Sequence, residues 1–277
     1  MSNPPIFDGH NDTLTNIQRP ERGQGRTFSE RSEIGQIDLP RARIGGLAGG
    51  ICAIYTPAPK DSPESDPYYG MTVTNDGYEV KVRAPIDHAY AREDTLNVLD
   101  LAEAIEDEGD GRVAITRTAG ELADNFDNDV FSIVLSIEGA AAVSPDLSDL
   151  DEYYDRGVRV INPVWSRQNA FGHGVPFRCP HSPDTGPGLT AAGKDLVAAC
   201  NEMKIVVDLF TAGVCLVITW HSIAFVQTSH EYEDVLMGNV PAWILQLVLP
   251  VGFGLITWRY LVFSDRKSTR LNSSHRC

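Results

Sequence analysis

Residues 131–139 read FSIVLSIEG, and this stretch decides the fold class. Seven residues dominated by apolar, β-branched types form a strand buried on both faces, the kind a parallel sheet requires. A carboxylate, Glu138, and a glycine, Gly139, follow at the strand's C-terminal end. The flanking segments repeat the grammar. Leu96, Leu99, Ala102 and Ile105 recur every three residues among charges, which predicts an amphipathic helix from about 85 to 108 that stops at Gly109. A short helix over 145–156 stops at Gly157, and Val158–Ile161 is the next strand. Thr190 caps a helix running to about Met203 with Leu196, Val197, Cys200 and Met203 inward, and Ile205–Leu209 is a further strand.

Upstream, PPIFD (4–8) is a short buried strand ending at Gly9-His10-Asn11-Asp12, and LAGGICAIY (47–55) is another, ended by Pro57 and Pro59. Residues 18–40 and 58–80 read as long surface loops. Strands alternating with helices predict an α/β fold, with roughly five strands before residue 210. A doubly wound sheet and part of a (β/α)8 barrel both suit. No GxGxxG follows the first strand, so the dinucleotide fingerprint is missing.

The 277 residues carry 23 Lys+Arg and 38 Asp+Glu, a net charge of −15, which argues against nucleic acid as a partner. The charge divides unevenly: −16 over residues 1–209 and +1 over residues 210–277. Five cysteines (Cys52, Cys179, Cys200, Cys215, Cys277) form no CxxC pair, which excludes a cysteine zinc ribbon and gives no disulfide framework. Met1 opens a polar stretch with neither a basic n-region nor an apolar h-region, so residues 1–209 are expected in the cytoplasm.

After Leu209 the pattern changes. Residues 209–230 hold no Asp, Glu, Lys or Arg over 22 positions, and residues 235–258 none over 24. Each is long enough to cross a hydrocarbon core of roughly 30 Å, which predicts two transmembrane-like helices within 210–264 and association with an inner membrane. Two buried core helices of a soluble domain are the other reading. The last segment, 265–277 (DRKSTRLNSSHRC), is a basic, polar tail expected to be disordered.

Three residues could carry chemistry. His10 and Asp12 are two apart at a strand end, and a period of two places both on one face. At the C-terminal end of a parallel strand that face opens on the site mouth. An imidazole and a carboxylate there suit zinc or a similar divalent ion, and a hydrogen-bonded loop turn suits them as well. Glu138 adds a carboxylate whose desolvation needs a cation or several donors, and which has two oxygens to bridge metals about 3.5–4 Å apart. Helix capping or ion pairing is its other role.

IFDGHNDTL near the N-terminus, LSIEGA (135–140), VWSRQNAFGHGVPF (164–177), PDTGPGLT (183–190) and GLTAAGKDLVAACNEMKIVVDL (188–209) together resemble the membrane (renal) dipeptidase family of zinc metallopeptidases, the bacterial branch in particular. The resemblance covers about residues 5–209. It implies a (β/α)8 barrel with two zinc ions, His10 and Asp12 on one and Glu138 bridging both, and hydrolysis of a dipeptide by a metal-activated water. About 209 residues would supply only the first five or so β/α units, short of the roughly 250 that such a barrel takes.

The chain departs from that pattern in several places. A small residue and a histidine of the second zinc are expected after Asp208-Leu209, where Phe210-Thr211 stand. His230 lies near the spacing of a second histidine but outside the family's strand-end context, and His173 and His181 fall in a Gly/Pro-rich loop. Trp165 stands where familiar members carry a substrate-contacting histidine. Residues 213–264, with a Pro-Ala-Trp entry and a Leu-Pro-Val-Gly step, resemble the small membrane subunit of tripartite ATP-independent periplasmic transporters, and 265–277 resembles an adapter-derived tail. The expectation is a zinc dipeptidase impaired by truncation, in three parts: 1–209, 210–264 and 265–277. The alternative is a transporter-subunit fragment fused to a non-catalytic barrel remnant.

Overall fold

A computed structural model describes residues 5–66, 68–174, 177–180 and 187–207, with the pairs 222–223, 226–227, 235–236 and 240–241. The chain divides into two compact units, Met1–Val207 and Asp208–Cys277.

In the first unit β1 (Ile6–Asn11) leads into α1 (Thr13–Gln18). Extended Arg19 breaks the helix, and Pro20, whose ring suits a first helical position, starts α2 (Pro20–Gly23). The N-terminus of α3 (Leu39–Gly45) is capped by Asp38, whose side chain accepts a hydrogen bond from the Arg41 amide. β2 (Leu47–Ile54) follows, then a hairpin of β3 (Met71–Thr74) and β4 (Gly77–Val80). Next come α4 (His88–Glu108), β5 (Val113–Ile115), α5 (Ala119–Asp127), β6 (Phe131–Glu138), α6 (Leu150–Asp155) and β7 (Val158–Asn162). The short β8 (Arg178–Cys179) joins β4, and α7 (Ala191–Met203) precedes β9 (Val206–Val207).

The main sheet runs β1-β2-β6-β7-β9, every pair parallel, with β5 beside the N-terminal half of β6. This is a mixed α/β fold whose parallel sheet forms a curled half-barrel. Ile133, Leu135 and Ile137 of β6, Val98, Leu99, Ala102 and Ile105 of α4, and Leu196 and Cys200 of α7 meet in one core. Fully burying each of the valine, leucine and isoleucine side chains contributes roughly 1.5–3 kcal/mol. A parallel sheet gathers the C-terminal ends of its strands on one rim, and that rim positions the site.

Several expectations change. β1 is a half-exposed edge strand rather than a buried one, because among the described residues only β2 pairs with it. It also extends through Asn11, so His10 lies inside the strand and Asp12 outside it. Among the described residues the sheet has six strands rather than five, since the brief VAI of β5 was too short to signal itself. Residues 58–80 are not all loop but hold the β3–β4 hairpin, and residues 18–40 include α2 and the start of α3. Phe28, Arg19 and Asp38 in that polar stretch are buried.

The second unit is described only in pieces. Residues 222–223 and 226–227 are helical, and β10 (Val235–Leu236) pairs antiparallel with β11 (Val240–Pro241). The second apolar run therefore does not start as a helix at Val235. Among the described residues no helix is long and apolar enough to cross a membrane. The rest of the two expected spans, Phe210-Thr211, His181, His230 and the tail 265–277 lie outside the described residues.

Candidate metal centre

His10 comes from near the end of β1, Asp12 from the junction with α1, and Glu138 from the last position of β6. Their ligand atoms all lie within 4.8 Å of one another. His10 Nε2 stands 3.8 Å from Asp12 Oδ1 and 3.8 Å from Glu138 Oε2, beyond hydrogen-bond distance in both cases. The three groups converge on a point without bonding one another.

Local sequence explains the convergence. Between His10 and Asp12, the Asn11 carboxamide donates to Asp8 Oδ2 at 3.1 Å and accepts from the Thr13 amide at 3.2 Å, which fixes the turn from strand to helix. That carboxamide lies over Gly50 of β2, where an added Cβ would come within 2.7 Å of Asn11 Nδ2. The glycines of LAGGICAI thus admit the side chain that sets the turn. After β6, Gly139 takes φ +83°, a conformation that strains any L side chain. Its amide donates to Asn162 O at 3.0 Å, which ties the end of β6 to the end of β7.

One atom tests whether a cation fits. Among the described residues the buried Asp12 Oδ1 has no hydrogen-bond partner, although the side chain as a whole is 41% exposed. A buried carboxylate oxygen without a donor is costly, and a cation beside it removes that cost. One imidazole nitrogen and carboxylates from two residues are a donor set that zinc accepts. Burial pushes the Cys52 thiol up to about 12 and the Cys200 thiol up to about 11, so neither is a thiolate nucleophile near neutral pH.

Glu138 and Gly139 line a small cleft with Tyr55, Thr56, Trp165 and Arg167. The Trp165 ring lies 6.1 Å from Tyr55 and 5.7 Å from Phe177. The cleft's wall residues Tyr55, Thr56, Trp165 and Arg167 also border a larger cavity of about 520 Å³. This cavity reaches Arg19 and Arg22, residues that the polar look of 18–40 concealed. His173 is exposed and takes no part in the cluster.

Residues 1–222 match the family described as membrane dipeptidase (peptidase family M19). Residues 202–267 match the DctQ component of tripartite ATP-independent periplasmic transporters. An "uncharacterized protein in PQQ-III 3′ region" of Acinetobacter calcoaceticus is 34% identical over 206 residues, covering 74% of this chain and 62% of that protein. Among solved structures, a metallo peptidase from Rhodobacter sphaeroides liganded with a phosphinate mimic of L-Ala-D-Ala superposes with TM-score 0.68 at 38% identity, over 75% of this chain and 59% of that one. A dipeptidase AC of family M19 gives TM-score 0.67 at 38% identity, over 75% and 58%. The chain thus spans about three fifths of the length of these relatives.

Proposed function

This chain belongs to the membrane dipeptidase family, peptidase family M19, and from that premise we propose that it is a zinc-dependent dipeptidase of reduced activity. The observation that supports the metal site is the buried Asp12 Oδ1, which has no hydrogen-bond donor among the described residues, at the meeting point of His10 and Glu138. His10, Asp12 and Glu138 would hold the ion. Bound zinc supplies Lewis-acid polarisation of the peptide carbonyl and activation of water. The chain's own part is to hold the donors in place, through the Asn11 turn and the Gly139 turn, and to wall the cleft with Tyr55 and Trp165.

Reduced activity rests on two features. Phe210-Thr211 stand where the resemblance expects a second-zinc histidine, so the second ion of a two-zinc site lacks that ligand. Among the described residues β1, which carries His10, is an edge strand, and a free edge holds its side chains less rigidly than a closed barrel does. Purified full-length chain is expected to bind at most one equivalent of zinc by mass spectrometry and to hydrolyse simple dipeptides slowly. Two equivalents with fast turnover overturn the reading.

The transporter match supports a second reading, in which 210–264 is a two-helix piece of a transporter subunit that associates with an inner membrane, and residues 1–209 are a cytoplasmic remnant. Expression as a fusion to a fluorescent protein separates the two: the remnant reading needs the chain in the membrane fraction with no hydrolysis. Sequencing independent genomic DNA across codons 205–215 tests whether the two parts, and the tail 265–277, share one natural reading frame.

A further inference from the structure

The larger cavity is unusual in its charge. Arg19, Arg22, Lys60, Lys81, Arg83 and Arg167 border it, against Glu21, Glu64 and Asp94. Two of the carboxylates are engaged: Lys60 pairs with Glu21 at 3.0 Å and Arg167 with Glu64 at 2.6 Å. Among the described residues Arg19, Arg22 and Lys81 have no ion pair. Arg19 is 6% exposed and donates to the Tyr55 hydroxyl at 2.8 Å and the Tyr55 carbonyl at 3.1 Å. Arg22 donates to the same hydroxyl at 3.1 Å and to Asn16 Oδ1 at 3.0 Å. Two cations thus converge on one neutral oxygen, and among the described residues neither donates a hydrogen bond to a carboxylate. Because that oxygen accepts twice, its own proton must point elsewhere, and among the described residues no acceptor meets it. Asp94, the remaining carboxylate, has its pKa raised by burial, with the Arg19 charge opposing that rise, and it makes no ion pair with Arg19 or Arg22.

Tyr55 ties this cluster to the candidate metal centre, since it lines both the cleft beside Glu138 and the cavity beyond. Resting on the dipeptidase reading, we propose that the cavity is the recognition pocket for an acidic side chain. A dipeptide whose peptide bond lies at His10, Asp12 and Glu138 sends its side-chain carboxylate to Arg19, Arg22 and the Tyr55 hydroxyl. The guanidiniums supply charge-assisted N–H donors, and the phenol supplies the third donor. A neutral amide of the same shape offers the Tyr55 hydroxyl an acceptor but no charge to the two guanidiniums.

The test is titration calorimetry on the full chain, with and without zinc, using Ala-Glu and Glu-Ala against the isosteres Ala-Gln and Gln-Ala. At least one acidic dipeptide is expected to bind about tenfold more tightly than its isostere, as charge-assisted bonds allow. The preference should fall to about twofold or less in Arg22→Gln, survive in part in Arg22→Lys, and weaken in the wild type when salt screens the cations. Arg22 is exposed, so its variants should fold, and circular dichroism checks this. Hydrolysis is followed in parallel. A preference that depends on Arg22 without turnover upholds the pocket and overturns the dipeptidase reading. Turnover without any acidic preference overturns the pocket and leaves the dipeptidase reading intact. No binding, or a preference that neither salt nor Arg22→Gln alters, overturns the pocket.

Discussion

β1 and β6 lie in one parallel sheet and both end at the candidate metal cluster, yet they are held differently. β6 is buried over six of its eight residues, pairs with β2 in unbroken register from Ser132 to Ile137, and meets β5 and β7 along its other side. β1 is mostly exposed or half-buried, pairs only with β2 among the described residues, and has two irregularities in its register. Glu138 therefore stands on the rigid centre of the sheet, while His10 and Asp12 stand on its adjustable edge. The side chains show the gradient, with Glu138 20% exposed and His10 54%. A metal here would be held by one fixed donor and two that must be drawn in.

The contrast can be broken most readily in the core. Leu135→Ala in β6 is expected to lose about 2–5 kcal/mol of unfolding free energy, because a fully buried leucine leaves a cavity. Urea denaturation measures it, and a loss below about 1 kcal/mol would show that β6 is not the rigid member.

Zinc sharpens the contrast next. At a zinc concentration of 100 times its Kd the wild type should gain about 2.7 kcal/mol in stability. Glu138→Gln and His10→Ala should each lose at least half of that gain, since removing a donor weakens the metal by no less than the roughly 10–100-fold that outer partners are worth. Amide exchange should show zinc protecting β1 more than β6, whose amides are already protected by the core. Equal protection of both strands would remove the distinction between fixed and adjustable donors.

A smaller effect concerns the approach to β2, the neighbour of both strands. Burial tends to raise the Asp38 pKa, but the Arg41 and Ser32 amides and the Arg41 guanidinium outweigh it and hold the carboxyl below 3.8. A pKa depressed on folding means that the unfolded chain takes up the proton first. The stabilisation is complete above about pH 3.8 and fades as pH falls through the lower folded value. Asp38→Ala should therefore cost about 0.5–2 kcal/mol at neutral pH and progressively less below pH 3.8, followed by paired thermal melts. The smallest effect belongs to the edge itself: Ile6→Ala, at a residue 55% exposed, should change stability by no more than about 0.5 kcal/mol.

Much of the fold was legible because its signals are local. The apolar run ending in Glu138, the three-residue spacing in α4 and the Thr190 cap all depend on neighbours along the chain, and all three appear as read. What was missed depends on partners far along the chain. β5 is three residues long and exists because β6 offers it hydrogen bonds. The β3–β4 hairpin is exposed along most of its length and so carries no hydrophobic alternation to read. β1 looked like a buried strand because IFD is apolar at its start, but burial is a property of what covers a strand.

His10, Asp12 and Glu138 were identifiable from sequence as residue types able to hold a metal, placed at strand ends where side chains face a common rim. Their meeting within 4.8 Å was decided by the sheet, since β2 stands between β1 and β6 and pairs in parallel with both. Nothing along the chain marked Arg19 and Arg22 as more than surface charge. Only the tertiary structure turns them onto the Tyr55 hydroxyl, across a cavity that exists because β2, α1, α2 and the Trp165 loop come together. Local chemistry is written in the order of residues, whereas convergence and charge balance arise only when separate elements pack.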